Sequence, residues 1–205
     1  MYTGYIKRLF DFLIAMATLL LIGWLLAVIA LWLHYANKGA GAFFYQERPG
    51  RGGEIFKLMK FKSMTDETDE NGKLLPDAKR LTKMGRFIRS TSIDELPQLI
   101  NILKGDMSLI GPRPLYVRYM PYYSEEENRR HEVRPGITGW AQVNGRKEVE
   151  WHERIKLNNW YVDHVSFPLD VKIFFKTIFK VLSNADNENT GETVKKETET
   201  TGVGK

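Results

Sequence analysis

Two adjacent carboxylates, Asp94 and Glu95, stand just before a position where a helix should begin. Pro97 has no backbone N–H and is best tolerated in the first turn of a helix, so we predict a helix that starts there and ends at Gly105. Two interpretations of the pair stay open. The carboxylates can stabilise the positive helix N-terminus, with Ser92 and Glu95 matching a capping box. Alternatively, one carboxylate attacks phosphorus and forms a mixed anhydride, assisted by its neighbour.

A carboxylate can attack an anionic diphosphate only if the negative charge is neutralised, normally by Mg²⁺ and arginines. Because Mg²⁺ prefers carboxylate and phosphate oxygens, the acidic pair and an incoming diphosphate together predict a Mg²⁺ site. Arginine forks match phosphate oxygens, and several arginines here lie in turns that proline or glycine makes rigid. The candidates near the pair or in such turns are Arg86, Arg89, Arg113, Arg134 and Arg146.

These side chains belong to a chain whose residues 12–33 form an apolar run of 22 positions, interrupted only by Thr18 and Gly23. A helix of that length roughly matches the ~30 Å hydrocarbon core of a bilayer. The run is too long for a signal peptide, and the residues that follow it are too bulky for a cleavage site. It also lacks the polar face of a buried core helix. We therefore predict a membrane segment within residues 1–38.

The topology of this segment stays open on charge alone. Lys7 and Arg8 precede it, while Lys38, Arg48 and Arg51 follow it. The positive-inside rule therefore marks neither flank as the outer one. This balance is compatible with an ordinary spanning anchor, and equally with a segment that enters the bilayer and returns.

Composition narrows the class of protein. The chain has no cysteine, which fits a reducing compartment and excludes disulfides and thiolate metal sites. Its net charge of +5 suggests anionic partners. Together with the membrane segment, this charge favours lipid and phosphorylated ligands, and we expect no nucleic-acid partner.

The remaining chain is predicted to form one soluble domain, residues 39–183, followed by a disordered polar tail, residues 184–205. We predict strands at residues 42–46 and 55–64 around a Gly-rich turn, and a solvated loop at residues 66–79. Helices are expected around residues 80–89, 97–103 and 124–132.

A last helix is predicted at residues 167–182, where apolar and basic positions fall on different faces. Such a helix can lie in the headgroup plane or pack on the core, and the pattern leaves both open. The apolar positions are Val171, Phe174, Phe175, Ile178 and Leu182, and the lysine row is Lys172, Lys176 and Lys180.

Five motifs, in order, resemble those of the bacterial sugar transferases of the monotopic phosphoglycosyl transferase superfamily. They occupy residues 44–50, 56–64, 89–98, 104–114 and 134–146. The short length resembles the minimal catalytic form, like the enzyme that starts lipid-linked oligosaccharide assembly for bacterial N-glycosylation. The resemblance implies a small, mostly helical α/β domain with a β-hairpin, carried on a re-entrant membrane helix plus interfacial amphipathic helices.

The resemblance also implies the reaction. Asp94 matches the nucleophile that takes a sugar 1-phosphate from a UDP-sugar and releases UMP. Glu95 matches its partner, which acts on the polyprenol phosphate acceptor or helps Asp94 to hold Mg²⁺; Asp106 is a further metal candidate. Matching substrate- and phosphate-binding positions are Lys60, Arg89, Gln98, Arg113, Arg134 and Arg146. The product would be a polyprenol diphosphate sugar, made in the first membrane step of glycoconjugate assembly.

The implied location is the cytoplasmic face of the bacterial inner membrane, where UDP-sugars are found, and a homo-oligomer stays open. One departure concerns the re-entrant helix, which in the family often bends at a Ser-Pro pair. Here Gly23-Trp24 stands near that place, and no proline occurs before Pro49. Glycine accommodates a kink but does not force one, so a spanning helix remains an alternative.

Two other functions are compatible with the residues alone. In the first, the chain is a membrane-anchored interaction protein whose arginines bind anionic lipid and whose acidic pair caps a helix. In the second, it is a metal-dependent phosphohydrolase that consumes polyprenol diphosphate. Only the transferase needs a UDP-sugar and releases UMP.

Overall fold

The computed structural model describes residues 2–145 and 150–182. In these ranges the chain is mostly helical, with two small two-stranded sheets. The predicted tail, residues 184–205, lies outside the described residues. A π-helical turn at Tyr2–Ile6 precedes the first helix, and 3₁₀ turns occur at Arg51–Gly53, Ile93–Glu95, Val117–Tyr122 and Arg129–His131. The helices and strands are α1 (Lys7–Ala36), β1 (Phe43–Pro49), β2 (Ile55–Phe61), α2 (Asp77–Arg80), α3 (Lys83–Ser90), α4 (Gln98–Lys104), β3 (Ser108–Ile110), α5 (Glu125–Asn128), β4 (Gly136–Thr138), α6 (Trp140–Asn144), α7 (Trp151–His164) and α8 (Phe167–Leu182).

The predicted hairpin is confirmed: β1 and β2 pair antiparallel along their full length. Leu58 and Phe61 of β2 are buried and join the core. The other edge of β2 is bound by a side chain of α4 rather than by a strand. The buried Asn101 amide accepts a hydrogen bond from the Met59 N–H at 3.0 Å and donates one to the Lys57 carbonyl at 2.8 Å. This amide fixes β2 against α4, because both backbone groups would otherwise lack a partner.

One face of α1 packs against the domain, and its buried residues lie toward the two ends of the helix. Near its start Ala15 packs in a core cluster with Leu58, Leu99, Ile102 and Met107; near its end Leu26, Ile29 and Leu33 pack in a second cluster with Phe61 and Ile88. The rest of α1 exposes large apolar side chains. With the turn before it, the helix covers Tyr2–Ala36 with a mean hydropathy of 2.7, so its length and composition would allow it to cross a membrane.

The N-terminal end of α1 is bound to the domain by polar side chains as well. Arg8 donates to the Ile102 carbonyl at 2.5 Å and to the Leu103 carbonyl at 2.9 Å, in the last turn of α4. Asp11, only 4% exposed, accepts from the Ser108 hydroxyl at 2.6 Å and from the next backbone N–H at 3.0 Å. A buried carboxylate is tolerated because these donors compensate its desolvation.

The C-terminal end of α1 is bound to the same domain. Asn37, which is fully buried, donates to the Lys62 carbonyl at 2.7 Å and to the Gly41 carbonyl at 3.1 Å. Both ends of the apolar helix and much of its middle therefore contact one folded unit. The fold thus places the two ends of α1 on the same domain.

The last helix, α8, packs on the core through the fully buried Ile173, and its lysine row contacts α6. Lys172 and Lys176 lie over the Trp140 ring of α6 at 5.6 and 5.2 Å, and Lys180 donates to the Gln142 carbonyl at 2.8 Å. Exposed apolar side chains of α8 are Phe167, Val171, Phe174, Phe175, Ile178, Phe179 and Val181. Of the two interpretations of this helix, the exposed stripe favours a position in the headgroup plane.

The second sheet joins β3 and β4 in parallel, with Ser108 opposite Gly136. A Cβ built on Gly136 would lie 2.1 Å from the Gly111 backbone nitrogen. Backbone atoms cannot move aside as a flexible side chain would. We therefore expect Gly136→Ala to lower the free energy of unfolding by about 3 kcal/mol, at the upper end of overpacking effects.

Gly23→Ala is the matched control, because nothing lies within 4 Å of a Cβ there. Alanine also favours a helix over glycine. Thermal unfolding of the full chain in detergent should show a Tm below that of the wild type for Gly136→Ala but not for Gly23→Ala. An unchanged Tm for Gly136→Ala would contradict the described contact between β3 and β4.

Candidate active site

A strained turn presents the acidic pair. Helix α3 ends at Ser90, and Ser92 then adopts a left-handed backbone with φ 57°, which is uncommon for a residue other than glycine. The 3₁₀ turn Ile93–Glu95 follows, and Pro97 is fully buried at the start of α4. Such outliers persist only where the surrounding structure holds them, and they concentrate at functional sites.

Neither Ser92 nor Glu95 forms the predicted capping box. The Ser92 side chain makes no cap hydrogen bond, so the predicted capping box is absent at this turn. Helix α4 begins at Gln98, three residues after Glu95, and the Glu95 side chain is engaged by cations instead. The capping interpretation is therefore wrong for Glu95.

Two cations from different elements hold Glu95. Lys60 of β2 places its Nζ 2.6 Å from Glu95 Oε1, and Arg113 places Nη2 2.6 Å from the same oxygen. A weaker contact of 3.5 Å joins Arg113 Nη1 to Oε2. Although burial opposes ionisation, the charges of Arg113 and Lys60 and their hydrogen bonds lower the pKa of Glu95 to about 2. Glu95 is thus a fixed negative charge and a poor general base at neutral pH.

Asp94 lies in a different environment. Its side chain is 14% exposed. Among the described residues, Asp94 forms one ion pair, with the Nζ of Lys60 at 3.8 Å. Burial raises the pKa of Asp94; the charge of Glu95 raises it further, whereas Lys60, Arg89 and Arg113 lower it. A more basic carboxylate is a better nucleophile so long as it stays ionised. The two neighbouring carboxylates therefore have different electrostatic roles, as paired catalytic groups often do.

Two further predicted residues lie near the pair. Arg89, in the last turn of α3, donates from Nε to the Ser63 hydroxyl at 2.8 Å, and its charge acts on Asp94. Gln98 is buried in the first turn of α4. Lys60, Arg89 and Arg113 thus lie within electrostatic range of the pair, whereas the binding roles predicted for them and for Gln98 stay predictions.

Asp106 and Arg134 lie at the other end of α4, roughly 10 Å along a seven-residue helix. Asp106 accepts from the Asn101 amide at 3.1 Å, and Arg134 donates to the Gly105 carbonyl at 2.8 Å. Their contacts therefore support the end of α4 and not the acidic pair. Arg146 falls outside the described residues.

The carboxylates present fit Mg²⁺ only as a site shared with substrate. Among residues 2–145 and 150–182 no group of three or more metal-ligating side chains occurs. Mg²⁺ is commonly bound by one or two carboxylates plus substrate phosphates, so the donor set matches that pattern. Asp94 is the freer ligand, since both oxygens of Glu95 already contact Arg113.

Sequence reasoning missed the residues that position the site. Asn101 ties α4 to β2, and thereby holds Lys60 opposite Glu95. The sequence suggests Ser92 only as a helix cap, whereas the structure shows a left-handed backbone at this residue and no cap hydrogen bond. A buried asparagine and a left-handed serine leave no periodic signal, although Asn101 does lie between apolar neighbours on a predicted helix.

Lys60 gives a testable pH dependence. We expect activity to require an ionised Asp94 and therefore to be lost as pH falls through the pKa of this group, which the positive charge of Lys60 lowers. Lys60→Met should therefore move the acid limb of kcat/KM to higher pH, in addition to lowering the plateau. A pH profile measures the limb position separately from the plateau height.

The control is Lys57→Met, an exposed lysine of the same strand. Its acid limb should coincide with that of the wild type. A Lys60→Met limb that stays in place, or moves to lower pH, would show that Lys60 does not act on the titrating group.

The fold and the site define a mostly helical α/β domain that carries a helix apolar enough to cross a membrane and an acidic pair that faces Lys60 and Arg113. The family model of the bacterial sugar transferases matches residues 2–184. The chain belongs to this bacterial sugar transferase family.

Individual relatives agree with this assignment. EpsL of Bacillus subtilis, an uncharacterized sugar transferase, is 54% identical over 181 residues, covering 86% of this chain and 87% of the relative. The UDP-glucose:undecaprenyl-phosphate glucose-1-phosphate transferase of Escherichia coli K12 is 42% identical over 191 residues, covering 87% of this chain and 40% of the relative. The undecaprenyl-phosphate galactose phosphotransferase of Salmonella typhimurium is 37% identical, with 87% and 40% covered. The chain thus spans about 40% of these two relatives, whose reactions are named.

Proposed function

We propose that this protein transfers a sugar 1-phosphate from a UDP-sugar to polyprenol phosphate and releases UMP, through a covalent intermediate on Asp94. The observation that carries the proposal is the asymmetry of the pair. Glu95 is held ionised by Lys60 and Arg113 at 2.6 Å each, whereas Asp94 is buried, has a raised pKa and, among the described residues, is engaged by Lys60 at the longer distance of 3.8 Å. The reactions named for the two relatives above support the same substrates.

In the first step an Asp94 carboxylate oxygen attacks the phosphorus that carries the sugar. A new O–P bond forms, the bond from that phosphorus to the bridging oxygen breaks, and the electron pair leaves with UMP. Arg113, Lys60 and Arg89 neutralise charge around the diphosphate. Glu95 does not take a proton in this step, because its pKa is far below neutral.

In the second step a phosphate oxygen of the polyprenol phosphate attacks the same phosphorus. The bond to Asp94 breaks, the carboxylate is regenerated, and a polyprenol diphosphate sugar is released. The covalent intermediate on Asp94 divides the transfer into two easier steps, so the two anionic substrates need not react directly with each other. Mg²⁺, when bound, would supply further charge neutralisation at the phosphates, held by Asp94 and assisted by Glu95.

The membrane part of the proposal concerns α1 and α8. We propose that α1 is re-entrant, so that both its ends and the domain stay on the cytoplasmic face with the UDP-sugar. The contacts of Asp11 and Asn37 support this topology, since they fix the two ends of α1 to one folded unit. The exposed apolar stripe of α8 would lie in the headgroup region beside it; Phe10 and Phe167 are in ring contact at 5.5 Å.

The reaction is tested with membranes or purified full-length protein, polyprenol phosphate and a panel of UDP-sugars, with UMP as the readout. We expect UMP release from at least one UDP-sugar, with Mg²⁺ required. Consumption of polyprenol diphosphate without any UDP-sugar would instead support the phosphohydrolase. Salt-sensitive binding to anionic vesicles with no UMP from any donor would support the lipid-binding alternative.

The topology is tested separately by single cysteines in this cysteine-free chain, at residues 2 and 38. A membrane-impermeant thiol reagent applied to sealed inverted vesicles should label both positions from the cytoplasmic side. Labelling of the two positions from opposite sides would establish a spanning helix.

A further inference from the structure

A group of aromatic rings and arginines lies beside the acidic pair and takes no part in the chemistry above. We call it the aromatic–arginine wall, formed by Arg48, Tyr116, Arg118, Tyr119 and Trp151. The guanidinium of Arg48 lies 3.8 Å from the centre of the Tyr116 ring, and that of Arg118 lies 4.8 Å from the same ring. One tyrosine therefore contacts two cations.

The aromatic part of the wall continues away from Tyr116. Tyr116 contacts Tyr119 edge to face at 5.8 Å, and Tyr119 contacts Trp151 in the same way at 5.0 Å. Arg118 also lies 5.1 Å from the Tyr119 ring and donates to its hydroxyl at 3.2 Å. These three rings are only half-buried, and Arg118 is exposed. The wall therefore keeps ring surface open to solvent.

The positive charge of the wall lacks an acidic partner. Among the described residues, no carboxylate lies within 4.0 Å of the guanidinium of Arg48 or Arg118. Arg48 donates to Gln46 at 2.6 Å, but its Nε is buried without a hydrogen-bond partner. Buried donors are usually paired, so Arg48 keeps hydrogen-bonding capacity for an acceptor.

The wall is continuous with the acidic pair. Tyr116 follows Arg113 by three residues, and Arg113 is the cation that contacts Glu95 at 2.6 Å. Burial and the charge of Arg113 lower the pKa of Arg48, which places these two guanidiniums within electrostatic range of each other. A ligand could thus reach from Arg113 to Trp151 along one surface.

We infer that the aromatic–arginine wall binds the uridine monophosphate half of the donor, with the uracil stacked on Tyr119 and Trp151 and its phosphate bound by Arg48 and Arg118. This inference rests on the proposed function. The chemistry of the wall selects this half, because a nucleotide combines an anion with a planar π-system, whereas the sugar has neither. Base stacking on aromatic side chains is worth about 1–3 kcal/mol per base, or roughly 5- to 150-fold in affinity.

The test measures binding of UMP, ribose 5-phosphate and inorganic phosphate to the full-length protein in detergent, by calorimetry. We expect wild-type protein to bind UMP at least about tenfold more tightly than ribose 5-phosphate, because only UMP carries the base. Trp151→Leu and Tyr119→Leu should remove that preference. Arg118→Gln should weaken UMP and ribose 5-phosphate alike, because both carry the phosphate.

Trp160→Leu is the matched control, since Trp160 is a partly exposed tryptophan of α7 that stacks on Trp140 and His164 instead. It should bind UMP as the wild type does. Tyr119→Phe keeps the ring, so it should retain the base preference even where Tyr119→Leu unfolds. Circular dichroism of each variant identifies such unfolding.

Three outcomes would count against this inference, and the first leaves the proposed function intact. If wild-type protein releases UMP from a UDP-sugar, and Trp151→Leu and Tyr119→Leu keep the wild-type base preference, the wall does not bind uracil although the transferase stands. If Tyr119→Phe loses the preference with its fold intact, ring stacking is not the contact and the inference is overturned. If wild-type protein neither binds UMP nor releases it, both fail together.

Discussion

Asp94→Asn should lower the rate of UMP release by at least about 10³-fold, or roughly 4 kcal/mol in the activation free energy. The amide has nearly the same shape as the carboxylate but cannot form the mixed anhydride. Loss of the Asp94 carboxylate should not disturb the fold, because Lys60 keeps its 2.6 Å contact with Glu95. The measurement is steady-state UMP release at saturating donor and acceptor.

The matched control for this variant is Asp163→Asn, which neutralises an exposed aspartate of α7 that pairs with Arg129. Exposed ion pairs contribute about 0–1 kcal/mol to stability, so this change should leave the rate near that of the wild type. Asp94→Asn should also keep the wild-type Tm. Turnover of Asp94→Asn within tenfold of wild type would exclude Asp94 as the nucleophile.

Arg113→Met is expected to have the next largest effect, a loss of about 10²- to 10³-fold in kcat/KM. Arginines that neutralise transferring phosphoryl groups contribute on this scale or above it, and here Lys60 and Arg89 remain. Arg113 is also the largest single cause that lowers the pKa of Glu95, so the variant should raise that pKa. Arg113→Lys keeps the charge but loses the planar fork, and we expect an intermediate rate.

Arg129→Met serves as the control, because Arg129 pairs with three carboxylates but contacts neither Asp94 nor Glu95. Its kcat/KM should stay within about twofold of wild type, as expected for exposed ion pairs. If the kcat/KM of Arg113→Met were also within about twofold of wild type, the contact between Arg113 and Glu95 would have no catalytic role.

The sequence predicted those elements that local chemistry determines. Pro97 and Gly105 mark the two ends of α4 to within one residue. Proline lacks the backbone N–H that a helix interior requires, so it favours the first turn, and Gly105 ends the helix with a left-handed φ of 99°. The hairpin follows from its Gly-rich turn, although β1 extends to Pro49, three residues beyond the predicted strand.

Helix α7 was not predicted, because its buried face is largely polar. Asn158, Asn159 and Tyr161 are buried there together with Ile155, so no apolar period marks the helix. The parallel pair β3 and β4 was missed for another reason. Each strand has three residues, and their pairing depends on a long-range contact that no local pattern records.

Within the site, motif membership identified residues but not their geometry. Asp106 and Arg113 belong to one motif, yet Asp106 contacts Asn101 at the far end of α4 whereas Arg113 contacts Glu95. Glu95 is the more tightly held carboxylate because Arg113 and Lys60 both contact it, and the fold brings Lys60 to the turn from strand β2. Sequence proximity alone could not assign these roles.

The most direct test is detection of the covalent intermediate. Full-length protein is incubated with the accepted UDP-sugar and no polyprenol phosphate, then analysed by intact mass and peptide mapping. We predict a gain of one sugar phosphate on the peptide that contains Asp94, a stoichiometric burst of UMP, and loss of the adduct when polyprenol phosphate is added. UMP release that requires both substrates together, with no adduct on Asp94, would contradict the two-step mechanism.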